Sequence, residues 1–200
     1  MLEEARRLGF LGPGPVEAHL DHAEGFASAI ASVAPGGPKR GVDLGSGGGV
    51  PGLALAVAFP ATQWLLVDAA QRRTAFLRPA VEALEFGARV EVATVRAEEL
   101  GRQPTHRAGH DVVVARGFGA PSVTAECAAP LLDVQGWAVI SEPPDGGVER
   151  WPVEGLALLG MTLGPFIRAG GASFQILEQP VLCPGRYPRR VGVPAKRRLF

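Results

Sequence analysis

The 200-residue sequence predicts an open α/β fold: a doubly wound, mostly parallel, seven-stranded sheet with an edge hairpin at its carboxyl-terminal end. Three observations predict it. Strand-type and helix-type segments alternate from about residue 40 onward, which implies parallel βαβ units with helices on both faces. A run of glycines follows the first strand, as it does where such sheets bind ligands. The last two strand-type segments lie close together in sequence, as antiparallel neighbours do.

The elements follow in order. Residues 1 to about 15 read as a short helix and a Gly/Pro loop. Val16, Leu20, Ala23, Phe26, Ala27 and Ile30 recur with a helical period, and APGGPKR breaks that helix. GVDL is a short apolar strand, and LALAVAF is a helix closed by Pro60. WLLVD is a buried-type strand, followed by the helix RRTAFLRPAVEALEFG with Gly87 as its expected carboxyl cap. RVEVATV alternates like a half-buried strand, and DVVVA reads as buried on both faces. Ser122 to Leu132 reads as a helix and GWAVIS as the fifth strand. A weak helix over Pro152 to Leu159 precedes the paired strands LGPFIR and ASFQILEQ. One domain accounts for the length, with a helical segment over about 1–38 and a basic tail over about 184–200.

Composition narrows the function classes. Hydrophobic residues make up 46% and charged residues 20%, which excludes general disorder. No apolar run approaches the roughly 18 residues of a membrane span, and MLEEARRLGF has no apolar signal region, so a cytoplasmic location is expected. Cys127 and Cys183 read as two buried thiols. His19 with His22, and His106 with His110, have zinc-like spacing but no completing ligand, so no metal is expected. The formal net charge is zero, yet after Glu178 there are six basic residues and no acid: Arg186, Arg189, Arg190, Lys196, Arg197 and Arg198. That distribution reads either as a local contact with an anion or as a solvated end.

Chemistry concentrates in Asp43-Leu44-Gly45-Ser46-Gly47-Gly48-Gly49-Val50-Pro51-Gly52. With no lysine at its end, the loop is no P-loop. Gly47, Gly49 and Gly52 fit the dinucleotide pattern, while Gly45, Gly47 and Gly49 after an acid fit the S-adenosylmethionine (AdoMet) pattern. A helix starting near Pro51 or Gly52 is expected to turn its free N–H groups to the ligand. Asp68, nineteen residues after Gly49, suits the ribose of either cofactor.

The string DLGSGGGVPGLALA, then LLVDAAQRRTAFLR, RAEEL, VVARGFG and RYPRRVGVPAKRRLF, resembles the bacterial 16S rRNA guanine-N7 methyltransferase family, also called glucose-inhibited division protein B. The resemblance runs from about His19 to the carboxyl terminus. It implies a class I methyltransferase fold with S-adenosyl-L-methionine as cofactor and ribosomal RNA in the small subunit as partner; a monomer is expected. It places Gly45 and Val50 against the cofactor from the first loop, and the AdoMet pattern of that loop adds Asp43, Ser46, Gly47 and Gly49. Asp68 would take the ribose, and Ala97 and Glu98 the adenine. Arg116 would bridge cofactor and RNA, with His19 near the substrate; these two are the catalytic candidates. The six basic tail residues would hold phosphates. Guanine N7 carries a free lone pair, so the reaction needs no general base. A methyltransferase with another substrate, or a silent relative that still binds AdoMet or RNA, stands as the alternative. One departure is clear: Ser141-Glu142-Pro143-Pro144 occupies the place where the family tends to carry a lysine.

Overall fold

A computed structural model describes residues 1–200. Seven strands form one sheet in the order β3-β2-β1-β4-β5-β7-β6. The strands are β1 (Arg40–Leu44), β2 (Gln63–Asp68), β3 (Val90–Thr94), β4 (His110–Ala115), β5 (Leu132–Glu142), β6 (Thr162–Ala169) and β7 (Ala172–Gln179). β1 to β5 are parallel, whereas β7 pairs antiparallel with both β5 and β6. The edge hairpin is therefore present, with β7 inside it. Because β1 lies between β2 and β4, the chain reverses its direction of travel across the sheet beside β1. The loops after β1 and β4 meet there.

Eight α-helices accompany the strands, five of them (α3 to α7) as connections: α1 (Leu2–Arg7), α2 (Val16–Val33), α3 (Gly52–Ala58), α4 (Gln71–Ala83), α5 (Ala97–Leu100), α6 (Pro121–Ala128), α7 (Val153–Ala157) and α8 (Val193–Lys196). Side chains on a strand alternate between faces, and here they feed two separate cores. Leu65 and Val67 of β2 join Val113 and Ala115 of β4 on the face covered by α5, α6 and α7. Trp64 and Leu66, with Val112 and Val114, face Phe26 and Ile30 of α2 and Leu55 of α3 on the other. Both thiols are buried, and burial pushes Cys183 up to about 11.

Local chemistry corrects three sequence expectations. The helix after β2 ends at Ala83 with Leu84 as its cap, and the left-handed residue that closes it is Glu85, not Gly87. Glu85 takes the left-handed conformation (φ 57°), while Phe86 N–H bonds back to Val81 and Glu85 N–H to Glu82. The helix read as Ser122 to Leu132 ends at Ala128, where Ala129–Leu131 tightens into a 3₁₀ turn containing Pro130. Leu132 already belongs to β5, which is irregular near its start, with Gln135 at φ 66°. The carboxyl tail, allowed above as a solvated end, is fastened to the body of the protein. Arg107 donates to the backbone oxygens of Gly101, Cys183, Pro184 and Tyr187 at 2.7–3.1 Å.

Candidate active site

The glycine loop folds onto the ends of β1 and β2. Gly45 and Ser46 N–H both bond to Val67 O, at 2.8 and 3.0 Å. Gly45 has φ +74°, and a Cβ there would meet the Phe118 ring at 3.0 Å. Gly52 starts α3 so close to β1 that a Cβ would stand 2.5 Å from Asp43 Oδ2. Its N–H donates to that same oxygen at 3.0 Å. The first N–H of α3 thus faces a protein carboxylate, which corrects the expectation that the free N–H groups there serve the ligand. Pro51 lies just before the helix as its cap residue.

Asp43 is 1% exposed, and its Oδ1 has no hydrogen-bond partner. Burial pushes its carboxyl up to about 7, against the pull of Gly52 N–H and the positive charge of Arg116. Asp68 is 5% exposed. One of its oxygens accepts from Ala70 N–H at 2.8 Å; the other accepts from Gly47 N–H at 3.1 Å and Arg73 at 3.3 Å. Asp68 therefore holds the glycine loop to β2 and caps the following turn, with about one lone-pair position left over.

Arg116 follows β4. Its Nη1 donates to His19 Nδ1 at 3.1 Å, and His19 Nε2 lies 3.1 Å from Gly12 O. The carbonyl needs a donor and the guanidinium needs an acceptor, so His19 is the neutral Nε2–H tautomer. On the same face of α2, His22 bonds to Ser141 Oγ at 2.8 Å and stacks on Phe26. Burial, with Arg116 and His19 nearby, pushes His22 down to about 4. The two histidines thus have separate partners, and no group of three or more His, Cys, Asp or Glu is placed to hold a metal ion.

Two clefts open beyond the strand ends, and Gly117 with Phe118 borders both. The first, about 190 Å³, is lined by Gly45, Asp68, Ala97, Glu98 and Arg96. The second, about 300 Å³, is lined by Thr124, Ser141, Glu142, Arg150 and Trp151. An elongated ligand in the first would thus present one end beside whatever occupies the second.

The family described as GidB, rRNA small subunit methyltransferase G, matches residues 26–141. Ribosomal RNA small subunit methyltransferase G of Rubrobacter xylanophilus is 33% identical over all of this chain and 80% of its own length. The chain belongs to the rRNA small subunit methyltransferase G family. The protein of that name from a Synechococcus strain is 37% identical over 78% of this chain, which covers 64% of it. The structure of a SAM dependent methyltransferase from Aquifex aeolicus resembles this one with a TM-score of 0.57 and 17% identity, covering 88% of this chain and 96% of that one. That likeness is one of fold.

Within this family member, the residues carried over from the resemblance fall into different settings. Gly45, Asp68, Ala97 and Glu98 line the first cleft together. Ser46 turns inward, its hydroxyl donating to Asp43 O at 2.9 Å, so it braces the loop instead of lining the cleft. Gly49 packs on Leu53 and Leu77, and Val50 joins Ala5, Leu11 and Ala23 under the amino-terminal segment. Arg189 is withdrawn from the phosphate-binding set: its guanidinium grips Glu126, itself 1% exposed, through three hydrogen bonds of 2.6–3.1 Å. Arg186, Arg190, Lys196, Arg197 and Arg198 remain exposed. Glu98 Oε1 accepts from Gly192 N–H at 2.9 Å, tying the tail to the wall of the first cleft.

Sequence reasoning missed Glu126, Arg107 and Arg150. The acid at Glu142 is explained by the last of these. Glu142 is buried, with one oxygen on Arg150 Nη1 and the other on Trp151 Nε1 at 2.9 Å. Arg150 thereby supplies a cation to the second cleft. A buried-type acid ending an apolar strand, followed within nine residues by Arg and Trp, was the available signal.

Proposed function

We propose that this protein transfers a methyl group from AdoMet to N7 of a guanine in 16S ribosomal RNA. Membership of the methyltransferase G family supports the reaction, and Asp43 is the observation that carries the cofactor. A carboxylate enclosed at the foot of the glycine loop, with one oxygen facing no protein donor, suits the ammonium of the methionine end. Asp68 keeps one acceptor position for a ribose hydroxyl, and Ala97 and Glu98 flank the adenine. When bound, AdoMet supplies a sulfonium methyl that a lone pair attacks in line.

The chain's own residues position and shield the reactants. Gly117 and Phe118 border both clefts, so they would stand between a cofactor held in the first and a guanine held in the second. Arg116 keeps its charge toward Asp43 and the cofactor, and His19 holds its guanidinium in place as a positioning residue. Arg150, oriented by Glu142, faces the acceptor. The exposed cations of the tail contact RNA phosphates. The protein works in the cytoplasm as a monomer without a metal ion. Calorimetry with AdoMet and separately with NAD tests the cofactor assignment. Saturable binding of AdoMet with none of NAD is expected, and the reverse overturns it.

A further inference from the structure

Most of the hydrogen-bonding capacity of the side chains around the second cleft is spent inside the protein. The polar side chains that line it are Thr124, Ser141, Glu142, Arg150 and Trp151. Thr124 Oγ1 donates to Ala120 O at 3.1 Å, and Ser141 Oγ is bonded to His22 Nε2 at 2.8 Å. Trp151 Nε1 donates to one oxygen of Glu142 and Arg150 Nη1 to the other. Glu142 therefore has both oxygens occupied, and its side chain is 1% exposed. Arg150 differs. Its side chain is 33% exposed, and of the donors on its guanidinium only Nη1 has a protein partner. β5 ends at Glu142, and the short turn over Val148–Arg150 brings the guanidinium back against that residue. The cleft thus presents a held cation with donors to spare and no free carboxylate.

Guanine and adenine both carry N7, so that atom alone does not select the base. The group beside it does: guanine presents O6, an acceptor, where adenine presents an amino donor. A free guanidinium donor satisfies the first and is opposed by the second, because two donors then meet with no acceptor between them. We propose that Arg150 selects guanine over adenine in the second cleft by donating to O6. This rests on the reading of that cleft as the acceptor's site. Arginine commonly grips O6 and N7 together, which would cover the lone pair that takes the methyl. The bond to Glu142 commits Nη1 to the protein, and a contact to O6 alone leaves N7 open. The 2-amino group of guanine lies on another edge of the base and plays no part.

The indole N–H of Trp151, bonded to Glu142, reports on the cleft in the ¹⁵N-labelled full chain, which has three tryptophans; Trp151→Phe assigns its signal. The 5′-monophosphates of guanosine, inosine, adenosine and 2-aminopurine riboside are titrated in turn. All four share ribose and phosphate, and only the first two carry O6. Those two are expected to move the Trp151 signal saturably with similar midpoints. The other two should need at least about tenfold higher concentrations. Arg150→Ala combined with Glu142→Gln, which leaves no buried carboxylate unpaired, should bring the four midpoints within about threefold of one another. Arg150→Lys keeps a donor and should retain the preference for O6. A Trp151 signal unmoved by every nucleotide overturns the proposal. So do four equal midpoints in the parent protein, or a preference that survives the double replacement. Those failures leave the methyl transfer standing wherever small subunits still acquire 7-methylguanosine. Absence of that nucleoside overturns the reaction, and the proposal with it.

Discussion

Arg116 donates a hydrogen bond from Nη1 to His19 Nδ1 at 3.1 Å, across 97 residues of sequence. The bond joins α2 to the end of β4 and holds a guanidinium whose charge is felt at Asp43. His19→Ala removes an acceptor worth about 0.5–1.5 kcal/mol and frees Arg116 to swing. Single-turnover methyl transfer should fall about tenfold, while AdoMet affinity changes less than threefold by calorimetry. Equal losses in rate and affinity would assign His19 a general structural role instead.

Asp43 trades stability for binding. Its folded pKa, about 7, lies above the ordinary carboxylate value. The proton is therefore held more tightly in the folded state, and stability falls as pH rises from about 4 through about 7. Asp43→Asn can still accept from Gly52 N–H while removing the charge. The variant should be more stable than the parent by about 2–4 kcal/mol at pH 8, with the difference vanishing near pH 4. Thermal unfolding at both pH values measures this. AdoMet affinity of the parent should rise between pH 6 and 8, because the ammonium favours the ionised carboxylate. In the variant that pH dependence should be lost and affinity should drop by at least about tenfold.

Removing Arg150 leaves Glu142 buried against Trp151 without its counter-charge. Arg150→Ala should cost about 1–3 kcal/mol in denaturant unfolding, below the full penalty for a buried pair because Arg150 is partly exposed. Adding Glu142→Gln should recover most of that stability. Methyl transfer to RNA should stay depressed in the double variant, since the cation of the second cleft is still missing. Recovery of both together would confine Arg150 to holding Glu142.

The tail should behave as a fastened RNA contact. Replacing Arg197 and Arg198 together by Ala should lower the salt slope of single-stranded RNA binding by up to about 1.4, taking one phosphate each. Glu126→Ala should instead release the segment around Arg189 and expose it to proteolysis, with little direct effect on the salt slope. Limited digestion and filter binding at several salt concentrations separate the two outcomes.

The strands and the glycine loop were legible because their signals are local. Val112 to Val114 and Leu65 to Val67 are buried-strand runs, and the asymmetric glycines follow directly from the turn off β1. The pairs Glu126–Arg189 and Arg116–His19 had no such signal. Their members are 63 and 97 residues apart and meet only once the sheet order is set. The left-handed turn at Glu85 was missed because backbone hydrogen bonds to Val81 and Glu82 fix it there, overriding the preference for Gly87. Treating every basic residue of the tail as available to RNA failed at Arg189, because a buried acid elsewhere in the chain claimed it.

The acceptor atom is what distinguishes this reaction from other methyl transfers to RNA. Small ribosomal subunits that lack the modification, incubated with this protein and methyl-labelled AdoMet, yield 16S rRNA whose nucleosides can be resolved by mass spectrometry. Label in 7-methylguanosine is expected, abolished by Asp68→Ala and strongly reduced by Arg116→Ala. Label in any other nucleoside, or none with the intact protein while AdoMet binds, would contradict guanine N7 as the acceptor.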